Sequence, residues 1–326
     1  MNRVARELSA VQIGMNSSDL AGSLRLFSDV FGFQNAGGHF IWGDAMTIQG
    51  LDLSARGLLW VLLGAKPLVQ LELFHHTVPA QRRLPADWRA SDLGWTRFGI
   101  AVPDLSRIRK NLEAWGIGIT GESAAPGDVA RLVFREPFVG CFIEVMEEGE
   151  ELPGGFPARQ YDVDGAVIHA TCSVSDLDAS RTFYEQTLGL KVADSLVLHR
   201  PEHEALWGLP GAESDSFVVE TEGMFLEIVC YRNPLARPPH DDFRVTDQGL
   251  VNVALASRDH QVVAEAHQRV LESGCKATGL LSFGAVRCAY VVQSERSVEL
   301  VGLPDPQEDA LYGFEPNQPF AGATKK

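Results

Sequence analysis

Apolar runs along this chain alternate with amphipathic stretches, and four stretches share one punctuation: an apolar strand, an aspartate, an amphipathic segment, then a glycine. They read VQIGMNSSDLAGSLRLFSDVFG, RFGIAVPDLSRIRKNLEAWG, HATCSVSDLDASRTFYEQTLG and NVALASRDHQVVAEAHQRVLESG. Asp19, Asp104, Asp176 and Asp259 stand where a helix N-cap accepts hydrogen bonds from unpaired first-turn amides. Gly32, Gly116, Gly189 and Gly274 stand where a helix ends in a left-handed residue. Between one such pair, Leu105, Ile108, Leu112 and Trp115 recur at helical spacing and predict a single buried stripe. Strand-like runs follow each helix, and the last of each set closes on an apolar-flanked glutamate. Those runs, VQLELF, CFIEVM, FLEIVC and SVELVG, carry Glu72, Glu144, Glu227 and Glu299.

The spacing of these marks predicts the architecture. Glu227 follows Glu72 by 155 residues, Glu299 follows Glu144 by 155, and Asn252 follows Arg97 by 155. His169 follows Gln12 by 157. Offsets that agree to within two residues at both ends of each module predict a duplicated pair of modules. The chain therefore reads as α+β, four βαβββ modules in two tandem pairs. The N-terminal pair spans 8–148 and the C-terminal pair 165–303, joined by a Pro- and Gly-rich linker; 304–326 reads as an irregular tail.

Composition narrows the function classes. Hydrophobic residues make up 45% and charged residues 22%, an ordinary globular balance. A net charge of −15 would repel a phosphate backbone, so nucleic acid is not an expected partner. No apolar run approaches the roughly 18 residues that a membrane span needs. No hydrophobic stretch follows Met1–Glu7, so a secretory signal is not expected and the cytoplasm is the default location. Five scattered cysteines argue against a disulfide framework or zinc knuckle.

Strand, Asp, helix, Gly and three strands closing on a glutamate resemble the vicinal oxygen chelate superfamily (the glyoxalase, bleomycin resistance and extradiol dioxygenase type) in a four-module form. His169-Ala170-Thr171 through Asp176-Leu177 and Phe183-Tyr184 to Leu188-Gly189-Leu190 is the part most similar to that family's opening signature. The resemblance implies that each module pair forms an open β-barrel-like cup. It also implies that inward residues of each first and last strand converge as metal ligands.

Under sequential pairing, which the four-module dioxygenases favour, one cup holds Gln12, Glu72, Arg97 and Glu144. An arginine cannot ligate a cation, so this cup is expected to lack metal, with Arg97 bonded to Glu72 or Glu144. The other cup would hold His169, Glu227, Asn252 and Glu299, a set able to bind one divalent ion (Fe, Mn, Co, Ni or Zn), with no metal as the alternative. Crossed pairing would instead bring Gln12 and Glu72 to Asn252 and Glu299, and Arg97 and Glu144 to His169 and Glu227. The joining segments are alike in length and do not choose.

What the resemblance implies for function is metal-assisted isomerase, epimerase or lyase chemistry on an oxygenated carbonyl or aromatic small molecule. Glu227 or Glu299 would act as the base, and Tyr290 is a further catalytic candidate. The alternatives are a metal-free binding or sequestration protein, and an extradiol-type dioxygenase with an atypical ligand set. A homodimer is left open. His75 and His76 read as an exposed strand end, and Tyr231 and His240 as pocket rim or surface. Gly116–Gly121 matches G-x-G-x-x-G but follows a helix, the reverse of a dinucleotide site.

Overall fold

The structure is a computed structural model that describes residues 7–125, 127–238, 244–292 and 297–316; His240 lies outside them. The four helices begin and end at the predicted marks. Asp19, Asp104, Asp176 and Asp259 accept hydrogen bonds from the amides of Gly22, Arg107, Ala179 and Gln261. Gly32, Gly116, Gly189 and Gly274 take positive φ at the other ends. Ile108 and Leu112 are fully buried, with Leu105 and Trp115 packed beside them.

Strands β1 (Ser9–Asn16), β2 (Gln34–Trp42), β3 (Arg56–Leu63) and β4 (Gln70–Val78) form module 1. Module 2 holds β5 (Gly94–Val102), β6 (Ile119–Ser123), β7 (Arg131–Arg135) and β8 (Phe142–Glu147). Module 3 holds β9 (Ala166–Ser173), β10 (Lys191–Asp194), β11 (Glu213–Glu220) and β12 (Phe225–Asn233). Module 4 holds β13 (Gly249–Ser257), β14 (Lys276–Ala277), β15 (Leu281–Phe283), β16 (Val286–Val292) and β17 (Ser297–Gly302). In every module the first strand lies parallel to the last.

The modules pair across the duplication. One sheet runs β14-β16-β17-β13-β1-β4-β3-β2, joining module 4 to module 1; the other runs β10-β11-β12-β9-β5-β8-β7-β6, joining module 3 to module 2. This corrects the sequential pairing expected above. The seams are antiparallel, β1 on β13 and β5 on β9. The physical reason lies in the connectors. The segment at 79–93 passes between the sheets, and it is tied to residues 234–238 and 244–248 of the corresponding connector in the second half. Arg82 pairs with Asp247 at 2.5 Å, Arg237 with Asp92 at 3.1 Å, and the Leu93 amide donates to the Arg237 carbonyl. Contacts between connectors choose the pairing, and their equal lengths could not show it.

One core runs through all four modules. Ile13, Phe98, Val167 and Val253 from the four seam strands meet helix residues Phe27, Ile108, Phe183 and Val263 there. The opposite faces of the two sheets form two cups, with the seam at the base of each.

Cross-strand register then sets what each cup contains. In the module 1/4 cup, Glu72, Gly14 and Asn252 lie in one row and Gln12, Ala254 and Glu299 in the next. The module 2/3 cup repeats this with Glu144, Gly99 and His169, then Arg97, Thr171 and Glu227. The central glycines make room for their neighbours. A Cβ at Gly14 would lie 2.2 Å from Asn252 Oδ1, and one at Gly99 would lie 2.1 Å from His169 Nε2. Gly99→Ala should therefore cost roughly 1–3 kcal/mol through overpacking. Gly118→Ala, where a Cβ meets nothing within 4 Å, serves as the control. Urea unfolding midpoints that fall equally in both variants would contradict this account of the seam.

Candidate functional site

The module 2/3 cup is a sealed charge network. Glu144 Oε2 lies 2.9 Å from His169 Nε2 and 2.7 Å from His199 Nε2, while Arg131 Nη1 donates to Oε1 at 3.0 Å. Glu227 Oε2 accepts from Arg97 Nη2 at 3.0 Å and from the Thr171 hydroxyl at 2.9 Å. Arg97 also donates to the Tyr231 hydroxyl at 2.9 Å, and its guanidinium carbon lies 3.9 Å from the Trp207 ring centre. All these side chains are buried. Two expectations are corrected here. Arg97 bonds Glu227 and not Glu72 or Glu144, because its seam partner Thr171 lies opposite Glu227. Tyr231 is neither rim nor surface, but lies beneath Arg97.

Electrostatics in this cup follow from mutual compensation. Burial opposes the charge on Glu144 and Glu227, yet His199, with Arg131 and Arg97 respectively, outweighs it and holds both carboxyls well below their usual range. Burial pushes His169 down, towards the neutral form. His199 resists burial because Glu227 and Glu144 flank it, and is pushed up to about 9. Its Nδ1 lies 2.9 Å from Glu227 Oε1, off the hydrogen-bond axis, so the contact is an ion pair and not a formed hydrogen bond.

A neutral imidazole has only one N–H to offer two carboxylates. His199 must therefore carry two protons, or carry one on Nδ1 and give Nε2 to a metal ion. Donor atoms of Glu144, His169 and His199 all lie within 4.8 Å of one another. Two imidazoles and a carboxylate suit a borderline divalent ion, and Arg131, Thr171 and Glu227 already support the three from behind. This set can hold a metal.

The module 1/4 cup is open. Glu72, Asn252, Gln12 and Glu299 occupy the positions that Glu144, His169, Arg97 and Glu227 occupy in the other cup. No cation replaces Arg97 here, since Gln12 is neutral. Asn252 Nδ2 donates to Glu299 Oε2 at 3.3 Å, and the Tyr290 hydroxyl donates to Asn252 Oδ1 at 3.2 Å. Gln49 contacts the Tyr290 hydroxyl at 3.5 Å and His76 Nε2 at 3.1 Å. His76 is buried, which corrects its reading as part of an exposed strand end; burial also pushes it down to about 4, so it is neutral.

Burial, together with repulsion from Glu299, raises the Glu72 carboxyl well above its usual value. Burial raises Glu299 to about 8, against the lowering effect of its bonds to Asn252 and Tyr290. The two titrate as a pair. Above them opens a cavity of 370 Å³, on whose wall Glu72, Gln12, Tyr290 and Glu299 all lie. The chain beyond module 4 forms a 3₁₀ turn, Pro306–Tyr312, and Leu311, Tyr312 and Phe314 close one side of the cavity.

The structure thus divides the expected ligand set. His169 and Glu227 lie in the sealed cup, while Asn252, Glu299 and Tyr290 lie in the open one, where Gln12 and Glu72 join them. His199 and Arg131 carried no visible signal. His199 comes from a segment between strands, just ahead of Pro201, and Arg131 from an inner strand outside the first-and-last-strand pattern. Gln49 was missed for the same reason.

Residues 166–278 match the family model described as Glyoxalase/Bleomycin resistance protein/Dioxygenase superfamily. Glyoxalase I from Zea mays is similar in fold, with a TM-score of 0.58 and 17% identity over 94% of this chain and 95% of that one. A putative dioxygenase from Bacillus subtilis subsp. subtilis str. 168 gives a TM-score of 0.59 and 15% identity over 91% and 86%. At such identities the likeness is one of fold. No curated protein sequence matches. Among the described residues, no helix is long and apolar enough to cross a membrane.

Two predictions test the two cups. Glu144→Gln removes the negative charge shared by Arg131, His169 and His199 and replaces one of its two acceptor oxygens by a donor, and should cost roughly 3–5 kcal/mol in denaturant unfolding; an unchanged midpoint would contradict the network. In the open cup the folded state holds protons more tightly than the unfolded chain. The Glu72–Glu299 pair therefore contributes stability that is complete below the ordinary carboxylate value of 4.5 and is lost as pH rises through about 8. His199 acts in the same direction, between its ordinary 6.5 and about 9. Glu299→Gln should therefore flatten, but not abolish, the fall in melting temperature from pH 5 to 9 in chelator. A variant as steep as the parent would contradict the raised pair.

Proposed function

For a four-module chain of the glyoxalase/bleomycin resistance protein/dioxygenase superfamily, we propose that the open cup is an active site for metal-assisted isomerase, epimerase or lyase-type proton transfer. Its substrate is a small oxygenated molecule, carbonyl or aromatic. The observation that carries this reading is the pairing of half-buried Glu72 with buried Glu299 at the wall of an accessible cavity, lacking the cations that neutralise Glu144 and Glu227 in the sealed cup.

The residues fit a divalent ion. Two like-charged buried carboxylates need either a shared proton or a cation between them. The carboxylate oxygens of Glu72 and Glu299 suit a hard ion of the manganese kind, and Gln12, which lines the same cavity, would complete an all-oxygen set on turning its amide oxygen towards them. When bound, such an ion supplies Lewis-acid stabilisation of negative charge on a substrate oxygen. The chain's own residues do the rest. One carboxylate takes a proton from the carbon beside the carbonyl and returns it, a task favoured when its proton affinity lies near working pH. Burial and the neighbouring carboxylates keep Tyr290 a phenol, so it remains a hydrogen-bond donor. The apolar remainder of the cavity excludes water from the transfer.

A second reading, oxygen activation, draws on the two histidines and one glutamate of the sealed cup, a ligand class used by non-haem iron(II). Those residues are buried within a network already paired with Arg97 and Arg131, whereas Glu72 and Glu299 stand at the wall of a cavity, so the first reading is preferred.

Manganese titration of the metal-free full chain, followed by calorimetry at pH 8, tests the assignment. Glu72→Gln and Glu299→Gln should each weaken binding by more than about tenfold, or about 1.4 kcal/mol, while His169→Ala leaves it unchanged. Binding that survives both glutamine variants and is lost in His169→Ala would move the metal to the sealed cup.

A further inference from the structure

We infer that the open cup selects a molecule with an uncharged, largely apolar body and a polar group at one end only; the inference rests on reading that cup as the active site. Polarity inside the cavity is segregated. Gln12, Glu72, Tyr290 and Glu299 gather towards the seam, while Ile48, Leu59, Val61, Phe283, Val301 and Phe314 supply apolar wall. Among the described residues that line the cavity, none is lysine or arginine. Apart from Glu72 and Glu299, the other readily ionised group is His39, an exposed residue of β2 whose partial desolvation favours its neutral form.

A carboxylate, phosphate or sulfate carried on the body of the molecule, away from the end that meets the glutamates, would therefore lie along the apolar wall with no side-chain counter-ion, an arrangement that desolvation makes costly. The fold does carry buried arginines, but Arg97 on a seam strand and Arg131 on β7 belong to the sealed cup and are already paired. At the mouth, Leu311 is 78% exposed and extends the apolar wall to the surface. The 370 Å³ volume suits a molecule of one or two rings. A polar end meeting the glutamates, with an apolar body along the wall, satisfies both halves of the cavity.

The test is calorimetric titration of the full chain with manganese, using 2-hydroxy-1-phenylpropan-1-one and the same ketol bearing a para carboxylate. The neutral ketol should bind at least about tenfold more tightly. Leu59→Arg, and Leu311→Arg at the exposed rim where folding is not at risk, should narrow or reverse that preference. Equal or tighter binding of the carboxylated ketol to the parent chain overturns the substrate class and leaves the active-site reading standing. So does failure of both ketols to bind while manganese still binds through Glu72 and Glu299. A preference unchanged in both arginine variants shows that the ketol binds elsewhere, and also overturns the inference. Failure of the active site itself would appear separately, as manganese binding indifferent to Glu72→Gln and Glu299→Gln.

Discussion

The antiparallel pairing of first strands, β1 on β13 and β5 on β9, is the interaction on which the rest of this molecule depends. Each seam is a backbone ladder between modules from different halves of the duplication. Because side chains alternate across a strand, the register of that ladder decides which residues face each cup. It places Gly14 between Glu72 and Asn252, and Gly99 between Glu144 and His169. A slip of one residue would turn these groups into the shared core and bring Ile13 or Phe98 into the cups.

From one scaffold the two seams derive opposite electrostatics. At the position that holds Arg97 in one cup, the other holds Gln12; where one has His169, the other has Asn252. Arg97, Arg131 and His199 neutralise Glu144 and Glu227, and that cup is packed shut. Loss of those cations leaves Glu72 and Glu299 with raised proton affinity beside open space. Duplication allowed one cup to hold the fold together while the other kept its charge uncompensated and its cavity open.

Local marks were legible in the sequence because they act over a few residues. Capping aspartates, terminal glycines and strand-closing glutamates each satisfy backbone or register needs that recur in every module. The offset of 155 between Glu72 and Glu227 exposed the duplication. It could not expose the pairing, which depends on contacts such as Arg82 with Asp247 between distant connectors. That is why His169 and Glu299 were expected in one site and lie in two. His199 was beyond reach for a related reason: it enters from a connecting segment, where no periodicity governs which way a side chain points.

The central claim is that crossed pairing brings Glu72 and Glu299 together as an uncompensated carboxylate pair at an accessible cavity. Anomalous diffraction from crystals soaked in manganese addresses it most directly. The account predicts an anomalous peak between the Glu72 and Glu299 carboxylates. A peak confined to Glu144, His169 and His199, with none in the open cup, would contradict it.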